Sequence, residues 1–168
     1  MKILIVYGTK YGCTKKCAEL LKSYLHGEVT VASAKSVRVP LKDYDVVFVG
    51  GSVYMGKMRK EVVRFCKRHK KQLMKKRLGI FVCCYTPNST CGFIETLLPQ
   101  EILDHASYVT CVGGEMNYEK MNFVYRKTFQ MLKRIDDFNK VFIDPQIHSE
   151  ELQTLAERVM NLSLSGTP

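Results

Sequence analysis

Residues 2–18 read Lys2-Ile3-Leu4-Ile5-Val6-Tyr7-Gly8-Thr9-Lys10-Tyr11-Gly12-Cys13-Thr14-Lys15-Lys16-Cys17-Ala18. The nearly unbroken apolar run over residues 2–7 predicts a strand buried on both faces, as in a parallel sheet. Small and hydroxyl residues follow, and then residues 14–25 place Cys17, Leu20, Leu21 and Leu25 on one helical face. Such a turn leaves backbone N–H groups and the Thr9 and Thr14 hydroxyls around the positive end of a helix, which suits a phosphate. The plainer alternative is an ordinary turn with Thr14 as helix N-cap. No Gly-Lys-Ser/Thr follows and no three-glycine fingerprint opens the helix, which argues against ATP and dinucleotides.

Similar apolar runs occur at residues 45–49, 78–84 and 108–112, with a weaker one at 28–32, and residues 60–73 have helical spacing through Val62, Val63, Phe65, Cys66 and Leu73. Strands alternating with helices predict an α/β, doubly wound parallel sheet with right-handed crossovers. Ligands in that class sit outside the carboxyl ends of the strands, so the informative residues follow Tyr7, Val49, Cys84 and Val112.

The second of these junctions, residues 50–58, reads as a glycine-rich loop carrying Tyr54 and Met55, able to admit a planar ring and stack on it. The third supplies Tyr85, Thr86 and Asn88, and the fourth is Gly113-Gly114-Glu115-Met116-Asn117-Tyr118. Beyond it, residues 118–135 carry Met121, Val124, Tyr125, Thr128, Phe129, Leu132 and Ile135 at helical spacing. That stripe reads as core packing, with a docking surface as the alternative. A last helix is expected over residues 149–162, its acidic first turn suiting the helix dipole.

Ile5, Val6, Tyr7, Thr9, Gly12, Thr14 and Ala18 fill, in register, a pattern that resembles the flavodoxin signature. Together with the Gly-Gly-Ser-Val-Tyr-Met-Gly and Gly-Gly-Glu-Met-Asn-Tyr stretches, the chain looks most like the menadione-dependent protoporphyrinogen oxidase branch of that superfamily. The resemblance implies a five-stranded flavodoxin-like sheet of order 2-1-3-4-5, an extra helix after the fifth strand, and FMN as cofactor. It places Thr9, Lys10, Tyr11, Gly12, Cys13 and Thr14 at the phosphate. Gly51, Ser52, Val53, Tyr54, Met55 and Gly56, with Tyr85 and Thr86, would serve the ring, and Gly114 and Glu115 would join from beyond the fifth strand. Members that oxidise protoporphyrinogen carry a strongly basic insertion between the fourth and fifth strands, whereas residues 86–107 here hold no Lys or Arg.

The flavin would carry the chemistry, so no general acid or base is expected. The partner would be a redox protein or a quinone. A flavin-free binding module on the same fold is the alternative, since fold does not fix function. A phosphorylation-controlled receiver domain is set aside, because Tyr7, Gly8 and Thr9 stand where it needs acids.

At 168 residues the chain suits one compact domain, expected over residues 1–164 with a frayed tail at 165–168. Seven cysteines, an odd number, and no cleavable apolar leader before the first strand favour a reducing cytoplasm over a disulfide framework. Without a Cys-x-x-Cys, and with the four histidines scattered, neither thiol redox catalysis nor a metal site is expected.

A net charge of +10 favours anionic partners. The densest basic tract, residues 67–77, reads as a solvated helix end or a contact for an anionic membrane surface or acidic protein. Nucleic acid is not expected, because no aromatics interleave with the tract. Lys10, Lys15, Lys16, Lys57, Arg59 and Lys60 flank the expected FMN loops, where cations would favour an anionic reduced flavin.

Overall fold

The computed structural model describes residues 1–54, 56–84, 94–115, 119–120, 122–135 and 145–161. Five strands run parallel in the order β2-β1-β3-β5-β6: β1 (Lys2–Gly8), β2 (Glu28–Ser33), β3 (Val46–Tyr54), β5 (Arg77–Cys83) and β6 (Tyr108–Cys111). A two-residue strand, β4 (Lys57–Met58), pairs antiparallel with the end of β3. The helices are α1 (Cys13–Ser23), α2 (Lys60–Leu73), α3 (Gln100–His105), α4 (Phe123–Leu132) and α5 (Ser149–Asn161). The expected class and the order of the five parallel strands are both realised.

Consecutive residues of one strand enter opposite cores. Val46 and Phe48 of β3 pack with Leu21 of α1 and with Leu152, Leu155 and Val159 of α5. Val47 and Val49 pack with Phe65 and Cys66 of α2 and Ile102 of α3. Burial on both faces is why these strands read as unbroken apolar runs rather than as alternations. The buried Thr110 hydroxyl is satisfied by donating to Glu151 Oε2 at 2.6 Å.

Chain order reverses between β1 and β3, where Gly8 stands beside Gly51. In an open parallel sheet this switch point leaves a crevice at the strands' carboxyl ends.

Two expectations are corrected. Residues 50–54 belong to β3 rather than to a loop, and the chain turns back at Gly56, whose φ of +72° favours glycine, to pair Val53 with Met58 and Tyr54 with Lys57. The paired glycines resembled a loop because their small size serves packing instead. A Cβ on Gly51 would come within 2.1 Å of Met58 Sδ.

The described part of the stripe is not buried core: Val124, Thr128 and Ile135 are exposed and Phe129 is half-buried. Phe123, Val124, Met131 and Ile135 are 65%, 64%, 63% and 53% exposed. Helical spacing identifies an apolar face but not what covers it. Met121, the side chains of Tyr125 and Leu132, and the expected tail at 165–168 lie outside the described residues.

Among the described residues no helix is long and apolar enough to cross a membrane. Part of the basic tract is tied into the fold. Lys70 pairs with Glu101, Lys76 Nζ donates to the Lys42 carbonyl at 3.2 Å, and Arg77 Nη1 donates to the Met160 carbonyl at 3.1 Å.

Candidate functional site

The switch point is built first by the turn after β1. Thr9 Oγ1 accepts from the Gly12 N–H at 2.9 Å, closing residues 9–12 into a compact turn. Gly12, with φ of +100°, is the N-cap of α1 and makes no side-chain capping bond. Thr14 therefore lies inside the helix and is not its cap. The first-turn N–H groups of α1 face the switch point without a side-chain acceptor from the cap residue, the arrangement that receives an anion.

Three buried hydroxyls, on the turn after β1, the first turn of α1 and the end of β3, have no hydrogen-bond partner among the described residues: Tyr11 Oη, Thr14 Oγ1 and Ser52 Oγ. An unsatisfied buried hydroxyl costs about 1–3 kcal/mol, and Thr14 is fully buried. A phosphate-bearing ligand with polar edges would satisfy all three, so these residues fit FMN. Thr14 and Tyr11 would hold its phosphate side and Ser52 would meet it from the end of β3.

The aromatic part of the site is gathered by Lys10. Its Nζ lies 3.8 Å from the Tyr54 ring centroid and 5.0 Å from that of Tyr11, bringing the β1 turn and the end of β3 together. Val53 is half-buried beside them and Gly56 is exposed at the turn. Met55, Tyr85 and Thr86 lie outside the described residues.

Beyond β6, Gly114 is buried, and its N–H donates to the Gln146 carbonyl at 3.1 Å. Glu115 then reaches α1, accepting from Lys16 Nζ at 2.5 Å. The structure thus brings together Thr9, Lys10, Tyr11, Gly12, Cys13 and Thr14 with Ser52 and Tyr54, and ties Glu115 to the same turn. Of the six flanking cations, Lys16 is neutralised by Glu115, and Arg59 Nε pairs with Glu61 Oε1 at 3.1 Å. Lys10, Lys15, Lys57 and Lys60 stay exposed.

Sequence spacing did not reveal the thiols. Cys13, Cys17 and Cys83 converge behind the turn, Cys17 and Cys83 at 3.6 Å. Hydrogen bonds from the Cys17 and Cys83 thiols hold the Cys13 sulfur well below the ordinary thiol range against the opposing effect of burial, with the Glu115 N–H and Lys16 adding to them. Donating to Cys13 and being buried push Cys17 and Cys83 up. Across the sheet, Cys84 and Cys111 bring their sulfurs to 3.0 Å, and the bond from Cys84 draws the Cys111 thiol down to about 6.

An α/β protein with five parallel strands in this order, and with an uncapped helix start at its switch point, belongs to the doubly wound class. Within that class the chain belongs to the flavodoxin domain family, whose model matches residues 4–141. A comparison with curated proteins finds no match.

Among solved structures, a short-chain flavodoxin associated with a PDU bacterial microcompartment is 15% identical over 97% of this chain and 99% of its own, with a TM-score of 0.57. Flavodoxin 2 from Bacillus cereus is 14% identical over 96% and 99%, with a TM-score of 0.51. Rubredoxin oxygen:oxidoreductase from Desulfovibrio gigas is 13% identical over 96% of this chain, at a TM-score of 0.53, and the match spans 35% of that longer chain. At these identities the likeness is one of fold.

Proposed function

We propose that the chain is an FMN-dependent redox protein that exchanges electrons with an anionic or quinone partner. The observation that carries this is the fully buried Thr14 hydroxyl, without a hydrogen-bond partner among the described residues, beside the uncapped start of α1. Bound FMN supplies the ability to take up and release electrons. The protein's own residues hold it: the α1 N–H groups and Thr14 fix the phosphate, Ser52 meets the ring side, and Tyr54 offers an aromatic surface. Lys10, held against Tyr54, brings a positive charge that favours electrons arriving at the flavin.

A groove of about 650 Å³ beside Gly56 supports an anionic partner. Lys57, Lys60, Arg64 and Lys67 line it over Val63 and Leu97. Together with the extra helix α4, it favours an oxidoreductase that draws electrons from a bound reductant and passes them to a quinone over a simple carrier. A porphyrinogen is one such reductant, although residues 86–107 lack the basic insertion of that branch.

The exposed apolar row on α4 is interspersed with Arg126, Lys127, Lys133 and Arg134, with no acid between Met121 and Ile135. This charge and apolar pattern fits an anionic membrane surface, where a quinone would be found.

The test is the visible absorbance of the purified protein, with FMN titrated into any flavin-free fraction. Flavin bands, or stoichiometric quenching of FMN fluorescence, are the expected result. No binding at micromolar FMN would overturn the proposal and leave a flavin-free binding module.

A further inference from the structure

Cys13 and Cys17 are four residues apart on α1, so both sulfurs fall on its sheet-facing side, and Cys83 closes β5 against them. The three sulfurs all lie within 4.8 Å of one another. We propose that Cys13, Cys17 and Cys83 form a three-thiolate site for one soft d10 cation, Zn(II) or Cu(I), set behind the turn that begins α1.

A metal–thiolate bond of about 2.3 Å places the sulfurs of a trigonal or tetrahedral site roughly 3.8–4.0 Å apart. Cys17 and Cys83 already stand at 3.6 Å, so closing the site needs side-chain adjustments of less than about 1 Å. Thiolate sulfur selects soft cations, and the protein carries the donors on two regular elements, helix α1 and the interior strand β5.

Burial as small apolar side chains accounts for any one of these cysteines. It does not account for three sulfurs converging within 4.8 Å of one another. Three thiolates and a divalent ion leave one negative charge, and Cys13 opens α1, whose start is the positive end of the helix. Cys17 and Cys83 are buried while Cys13 is partly exposed, so an ion can enter past Cys13. Cys84 and Cys111 offer only a pair of sulfurs and serve as the comparison.

The test uses the full chain, freed of metal with a chelator under reducing conditions, and needs no flavin, so it stands or falls apart from the FMN proposal. Zn(II) is titrated against a chromophoric chelator and Cu(I) against a Cu(I)-selective one. One ion per chain is expected, and the cation held more tightly is the one the site takes. X-ray absorption of the wild-type complex should show three sulfur neighbours, at about 2.3 Å for Zn(II). C17A and C83A should each weaken binding by more than tenfold, while C66A and the double variant C84A/C111A keep it. Retention of neither ion at micromolar concentration would overturn the proposal, as would fewer than three sulfur neighbours or binding unchanged in C17A and C83A. The sulfur count is read on the wild-type chain, so it decides even if a variant misfolds.

Discussion

Gly50 of β3 stands directly opposite Phe81 of β5, and a Cβ built on Gly50 would lie 2.0 Å from the tip of the Phe81 ring. The relation is reciprocal two residues earlier, where Phe48 faces Gly79 and a Cβ on Gly79 would lie 2.6 Å from the Phe48 ring. Each ring lies over the neighbouring strand's glycine, so both strands stay flat enough to bury two phenylalanines on the α1 and α5 side. Gly50→Ala should therefore destabilise the fold by about 1–3 kcal/mol through overpacking. Phe81→Ala should cost about 3–5 kcal/mol. Combining Gly50→Ala with Phe81→Ala should cost less than the sum of the two single changes, because both act on one contact. Urea unfolding of the four proteins reads this directly.

Thr14 separates a structural from a ligand-binding role. Its hydroxyl is buried without a partner among the described residues, so Thr14→Val should leave the flavin-free protein as stable as before or raise its unfolding midpoint. The same change should weaken FMN binding roughly 10- to 100-fold, the value of a hydrogen bond to a charged group. A hydroxyl serving only the fold would give the opposite result, lower stability with affinity unchanged. Thermal unfolding and FMN fluorescence, measured on one preparation, decide between them.

The parallel core was legible because residues buried on both faces leave a continuous apolar signature, as residues 3–6 do. The turn after β1 was legible for a related reason: Thr9 and Gly12 have local jobs at short spacing, a hydroxyl closing the turn and a positive-φ cap. Gly50 and Gly51 were misread because glycine signals a turn or a close approach equally well, and only their spatial neighbours, Phe81 on β5 and Met58 on β4, tell these apart. Cys83 lies 66 residues from Cys17, and their proximity is created by the crossover from β1 to β3 to β5, which no spacing motif records. The α4 row failed in the other direction, because periodicity describes a helix and not its surroundings.

Cys13 should behave as a thiolate at pH values where Cys17, Cys66 and Cys83 are protonated. Its pKa is depressed in the fold, chiefly by hydrogen bonds from Cys17 and Cys83, while those two and Cys66 are raised. Alkylation by iodoacetamide at pH 6, mapped by mass spectrometry, should mark Cys13 ahead of Cys17, Cys66 and Cys83. The stability consequence has a definite sign. The depressed Cys13 contributes stability that is fully present above the unfolded thiol value of 9.0 and declines as pH falls below it toward the folded value. The raised Cys17 and Cys83 contribute stability that is lost as pH rises above 9.0. Cys13→Ser should flatten the acid side of the stability profile and leave the Cys66 contribution to the alkaline side in place.

Lys10 should tune the flavin. Its ammonium sits over Tyr54 at the expected ring site, and a cation near a gained negative charge is worth on the order of 1 kcal/mol at a protein surface. Lys10→Gln should lower the midpoint potential of bound FMN, and the difference should shrink as salt is added. Lys22→Gln, at the far end of α1, should leave the potential where it was. Spectroelectrochemical titration at two ionic strengths measures both effects, and equal potentials for wild type and Lys10→Gln would assign Lys10 to packing alone.

The α4 surface makes a prediction that depends on charge and apolar contact together. Phe123, Val124, Met131 and Ile135 supply exposed apolar side chains, and Arg126, Lys127, Lys133 and Arg134 supply cations. The protein should cosediment with vesicles containing phosphatidylserine, and not with phosphatidylcholine vesicles, in a manner that weakens as salt rises. With about 1 kcal/mol per basic side chain near such a surface, R126Q/K127Q should bind roughly thirtyfold more weakly. Val124→Asp should weaken binding while leaving the unfolding midpoint unchanged, because Val124 is exposed and packs into neither core. If R126Q/K127Q and Val124→Asp both sediment like wild type, the charge of this chain acts elsewhere, and the groove lined by Lys57, Lys60, Arg64 and Lys67 becomes the surface to alter next.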